Sequence, residues 1–105
     1  MSVYLAALLT EMGMPIARNA FLQPQSPPYI VYVFSHSTNY IADSRVYLKR
    51  GNYQIELYTE KKDQALEAKL ESLFDAHGLV YDKTESYLDS EKLLEVIYEI
   101  QLIGG

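Results

Sequence analysis

The chain has no cysteine and no tryptophan. The first absence excludes disulfides, thiolate metal sites and cysteine nucleophiles, and it fits a reducing compartment. Glycine is sparse, with five scattered residues, so there is no glycine-rich loop to cradle a phosphate. Basic residues are outnumbered, nine against fourteen acidic, for a net charge of −5. That balance argues against a module that binds nucleic acid by neutralising phosphates, and no sequence-specific nucleic-acid contact is expected. Wholly apolar runs are a handful of residues long, far short of a membrane span. The N-terminus lacks the basic stretch and apolar run of a signal peptide. A soluble, intracellular protein without membrane contact is the expectation.

What is present fits one domain of 105 residues, long enough for one core and too short for two. Ten tyrosines stand beside three phenylalanines, and tyrosine favours half-buried sheet positions and interfaces. Ser2 is a fitting N-cap for a helix to Met12, with Leu5, Leu8, Leu9 and Met12 on one face. Gly13 and Pro15 end it. Ile16–Phe21 reads as a short strand. Three prolines in residues 24–28 make the following piece a connector, because each removes a backbone donor.

Tyr29–Phe34 is apolar on both faces, as in a strand covered on both sides or covered by a partner on one. Residues 35–44 are polar and turn-rich, either a loop or the exposed tip of a long hairpin. Arg45–Arg50 and Asn52–Thr59 read as strand, broken or turned near Gly51. In the second piece Tyr53, Ile55 and Leu57 alternate with polar neighbours. A helix over Asp63–His77 carries Leu66, Leu70, Leu73 and Phe74 on one stripe and stops at Gly78. Leu79–Leu88 and Leu93–Leu102 form a hairpin, with Leu94, Val96, Tyr98 and Ile100 inward and Glu95 and Glu99 outward. The expected fold is α+β, order α-β-β-β-α-β-β: an antiparallel or mixed sheet of about five strands with two amphipathic helices on one face.

No catalytic constellation is visible. His36 and His77 have no ligand spacing around them, so no metal and no cofactor are expected. Ser35, His36, Ser37 and Asp43 do not make a triad by proximity alone. The candidate functional residues are therefore surface charges and tyrosines. Asp63, Glu67, Glu71 and Asp75, four apart, form an acidic column on the second helix, either solvated or meeting a partner. Arg45, Lys49, Arg50, Lys61 and Lys62 form a basic cluster elsewhere. Opposed patches suit head-to-tail contact of identical subunits. Tyr58, Tyr81 and Tyr87, with Tyr40 and Tyr47 beside the polar segment, are candidates for a protein–protein surface.

Several runs, Tyr29-Ile30-Val31-Tyr32, Asn39-Tyr40-Ile41-Ala42-Asp43 and Tyr53 through Asp63, together resemble a family of small phage and prophage structural proteins of Gram-positive hosts. Tyr81-Asp82-Lys83-Thr84-Glu85 and Glu95-Val96-Ile97-Tyr98-Glu99 continue the likeness, which spans about Tyr29 to Ile100. The chain looks like the tail-completion, head-to-tail joining proteins of long-tailed phages, which are similar in role to tail terminators. The resemblance implies no catalytic residue. It implies a hexameric ring in the virion neck, assembled in the host cytoplasm and contacting tail-tube and head-completion proteins. Tyr40, Asp43, Arg45, Lys49 and the four acids of the column are then candidates for the subunit interface or the channel. A reading from a different class is a small intracellular enzyme or ligand-binding domain using the Ser35–Asp43 loop. A third is a host-directed regulatory binding module.

Overall fold

A computed structural model describes the backbone of residues 2–42 and 45–103, and side chains within 4–35 and 51–102. The elements are α1 (Ser2–Thr10), β1 (Ile16–Arg18), β2 (Tyr29–Ala42), β3 (Arg45–Thr59), α2 (Gln64–Ala76), β4 (Tyr81–Leu88) and β5 (Leu93–Ile103). The five strands form one sheet in the order β1-β2-β3-β5-β4. Every pairing is antiparallel except β1 with β2. The fold is α+β, as the alternation and helical stripes predict.

The parallel pair follows from the connector. A parallel neighbour requires the chain to travel back along the strand, ordinarily through a dozen or more residues. Here β1 has only three residues, so the short proline-rich segment 19–28 suffices. Asn19 enters it with φ of 69°, a left-handed conformation that asparagine tolerates better than most residues. The Phe21 ring meets Tyr29 edge-on, with centroids 5.5 Å apart, so this segment lies over the sheet face that carries Tyr29.

Register assigns the two faces. Ile30 opposes Leu57, and Leu57 opposes Val96; Tyr32, Ile55 and Tyr98 form the next row. These residues and both helices' stripes make one core, with Leu5, Leu8, Leu9, Met12, Leu70 and Phe74 from the helices. Leu94, Val96, Tyr98 and Ile100 are buried in it, while Glu99 on the opposite face is exposed and Glu95 half-buried. The hairpin register is therefore the one the alternation predicts.

Helix ends obey local chemistry. Asp63 is the N-cap of α2, accepting from the Leu66 amide at 3.0 Å. Gly13 and Gly78 both have positive φ, the conformation that ends a helix cheaply only at glycine. Lys69 donates to the Met12 carbonyl at 3.1 Å, placing a cation from α2 at the C-terminal end of α1.

Of the two alternatives for the polar segment the long hairpin holds, since residues 35–42 continue β2; the expected break near Gly51 does not occur, and β3 runs unbroken through it. The strands stay paired from Tyr29↔Tyr58 to Ala42↔Arg45, with register shifts at Phe34/His36 and Tyr40/Ile41. Among the described residues β5 accompanies β3 as far as Arg50↔Ile103, and β1 accompanies β2 as far as Tyr32. Beyond those points the hairpin is a two-stranded arm. Polar residues left loop and hairpin both open because propensity alone does not register a partner strand of the same character.

Candidate functional site

The acidic column divides once α2 is packed. In a helix of 3.6 residues per turn, positions four apart drift by about 40°. Glu67 therefore falls beside Leu70 and Phe74 on the apolar side, and Asp75 ends on the opposite side. Glu67 is only 3% exposed, whereas Asp63 and Asp75 are exposed. The Lys62 ammonium reaches its Oε1 at 2.9 Å and that of Lys83 at 2.7 Å. Lys83 also meets Glu71 Oε2 at 2.7 Å, and Lys62 meets Glu85 Oε1 at 2.6 Å. The Tyr98 hydroxyl donates to the same Glu71 oxygen at 2.7 Å. Reading the four acids as one solvated column is thus corrected: Glu67 and Glu71 are bound inside the subunit by lysines of the α2 approach and of β4.

The electrostatics follow from those partners. Burial pushes the Glu67 carboxyl up, but Lys83 and Lys62 more than reverse this and hold it below the ordinary range. Glu71 behaves likewise, burial being outweighed by Lys83 and Tyr98. Hydrogen bonds to Glu67 and Glu71 hold the Lys83 ammonium firmly protonated. A buried ion pair contributes little beyond an apolar packing of equal volume, but removing one partner is costly. This network fixes how α2 sits against β4.

The other face of the sheet is built differently. Its rows are Tyr29, Tyr58, Glu95, Ser86; then Val31, Glu56, Ile97, Thr84; then Val33, Gln54, Glu99, Asp82. No strand residue in these rows is a lysine or arginine. Tyr58 stacks on Tyr29 with ring centroids 5.0 Å apart. Its hydroxyl lies 2.9 Å from Glu56 Oε1 and 2.6 Å from Glu95 Oε2. A phenol has one proton to donate, so it cannot serve both carboxylates fully. Burial pushes the Glu56 carboxyl up; the Tyr58 hydrogen bond opposes this and the Glu95 charge adds to it, with a net rise. The proline-rich segment covers the Tyr29 end, bordering a cleft of about 430 Å³ with Val31, Glu56 and Tyr58. The Val33–Asp82 row lies beyond it, and a groove of about 650 Å³ there includes Ser35, Gln54, Tyr81, Asp82 and Glu99 in its lining.

The candidate tyrosines with described side chains do not form one patch. Tyr81 packs edge-on against Tyr98 with centroids 5.3 Å apart, Tyr58 is on the opposite face, and Tyr87 is 52% exposed. Tyr40, Arg45 and Lys49 are placed by register in the arm, with their side chains, like that of Tyr47, outside the described set. Asp43 lies outside the described residues. His77 ends α2, and its Nδ1 and the Tyr4 hydroxyl are hydrogen-bonded at 3.0 Å. Among the described residues no group of three or more His, Cys, Asp or Glu could hold a metal ion. No helix among them is long and apolar enough to cross a membrane.

No protein-family model and no curated protein matches the sequence. The fold, however, matches a chain from the virion of a native gene transfer agent particle. The alignment has a TM-score of 0.60 at 13% identity and covers 95% of this chain and 84% of that one. At such identity the likeness is one of fold, extending over nearly all of this chain and most of the other.

Proposed function

We propose that the chain is a non-enzymatic virion structural protein that caps the phage tail or joins it to the head as an oligomeric ring. The observation that carries this reading is the whole-chain fold shared with a chain of the gene transfer agent virion. The sequence resemblance to tail-completion proteins points the same way. Charge is distributed as a ring of head-to-tail contacts requires, with a basic stretch in the arm and an acidic remainder. A net charge of −5 also suits a passage through which DNA moves without sticking. Tyr40, Asp43, Arg45 and Lys49 at the arm, and the exposed Asp63 and Asp75 on α2, are the interface or channel residues of this reading. Glu67 and Glu71 leave that set because they are already paired. The alternative enzyme or ligand-binding reading placed its site on a Ser35–Asp43 loop, of which residues 35–42 are paired strand.

The test is to delete the gene from the genome that encodes it and image the released particles. Free heads beside finished, unjoined tails are the expected result. Intact particles at normal numbers would remove the protein from the joining step.

A further inference from the structure

We infer that the two-stranded arm of one copy docks on the open acidic sheet face of another, bringing the arm's cations Arg45 and Lys49 to Asp82, Glu95 and Glu99. The inference deepens the ring reading and rests on it, by naming the contact that a ring would use.

Charge supplies the first argument. Residues 39–49, the arm, hold two of the nine basic residues and one of the fourteen acidic ones, so the arm is +1 and the rest of the chain −6. On the helix-covered face, acids are neutralised within the subunit by Lys62 and Lys83. On the open face the rows of strand residues contain Glu56, Glu95, Glu99 and Asp82 and no cation. Glu56 and Glu95 compete for a single phenolic proton. A cationic element laid over this face would remove the repulsion between them, as α2's acids are relieved by lysines on the other side.

Geometry supplies the second. The arm and the acidic rows belong to the same strands, so their separation within a subunit is set by the ladder. At about 3.3 Å per residue, Lys49 lies about 17 Å and Arg45 about 30 Å along β3 from the Gln54↔Glu99 row. Neither side chain spans its distance, so Arg45 and Lys49 cannot satisfy the acidic rows of their own subunit. Those of a second copy can. An isolated two-stranded ribbon is also marginally stable in water, and a docking surface gives it the support that β5 and β1 stop providing.

The test uses the full chain, whose lack of cysteine means that only introduced thiols react. Lys49→Cys and Glu99→Cys proteins are mixed and treated with a short bismaleimide. The expected product is a covalent dimer in the mixture and none with either variant alone, while a Glu85→Cys control on the helix-covered face gives none with Lys49→Cys. In parallel, Arg45→Glu with Lys49→Glu weakens self-association roughly tenfold or more at low salt, and Glu95→Lys with Glu99→Lys restores it. Oligomers that form without this cross-link and ignore the arm reversal overturn the docking contact but leave the ring. A chain that stays monomeric at every concentration and salt overturns both. If the arm reversal instead abolishes binding to duplex DNA and leaves self-association untouched, the arm is a nucleic-acid contact and the inference fails.

Discussion

The two faces of the sheet hold the same kind of residue in opposite states. Beneath α2, Glu67 and Glu71 sit among apolar side chains and are held ionised by Lys62 and Lys83. On the far side, Glu56 and Glu95 are half-buried, as Glu71 is, yet their only described donor is one shared tyrosine hydroxyl. Burial raises a carboxyl on either face; the sign of the net shift is decided by whether a cation is within reach. One face is electrostatically complete as a monomer. The other is not: Glu56 and Glu95 share one phenolic donor, and no lysine or arginine stands in their rows.

The largest expected effect comes from damaging the complete face. Glu67→Lys places three ammonium groups together in a nearly water-free site and should cost about 3–5 kcal/mol. For a domain of this size that lowers the melting temperature by more than about 10 °C. Glu99→Lys on the open face should change stability by less than about 0.5 kcal/mol. Equal melting temperatures for the two variants would break the contrast.

Tyrosine hydroxyls sharpen it at smaller scale. Tyr98→Phe removes a buried donor to Glu71 and should cost about 1–2 kcal/mol in urea unfolding. Tyr58→Phe should cost less, because the open face can admit water. Its clearer signature is a carbon-detected NMR titration in which Glu56 moves still higher, since the Tyr58 hydrogen bond now holds it down.

The smallest effects concern pH, and the two faces carry opposite signs. Glu67 and Glu71 titrate below the ordinary value of 4.5 in the folded protein. Their stabilisation is present above 4.5 and is lost as the pH falls through the folded values. Glu56 titrates above 4.5, so its contribution is complete below 4.5 and is lost as the pH rises through its folded value. Urea midpoints measured against pH should therefore show Glu67→Gln blunting the acid-side loss and Glu56→Gln flattening the decline above 4.5. A Glu56→Gln protein that loses stability only in acid would reverse the assignment.

Much of this architecture is legible in the sequence, wherever period and local chemistry act on neighbouring residues. The stripe Leu66, Leu70, Leu73, Phe74, the Gly13 and Gly78 stops, and the alternation from Leu94 to Ile100 each depend on bonds within a turn or on side chains one or two positions apart. Asp63 was legible as the start of α2, yet its cap role was obscured by counting it with a column of like charges. The drift of that column was legible too, because helical geometry alone carries Glu67 to the edge of the apolar stripe. The identity of its partners was not.

What the sequence determined by itself was therefore the set of elements, the glycine stops of the helices and the face each element turns inward, since these follow from propensity and period. Tertiary structure alone decided that β1 runs parallel to β2, that residues 35–42 are strand, and that Glu67 is an interior ion. Each of those depends on groups distant in the chain: a partner strand beyond the turn, and Lys83 sixteen positions from Glu67. An acidic residue four positions from another reads as surface until a lysine from β4 is brought within 2.7 Å of it, and only the packing of α2 across the sheet does that.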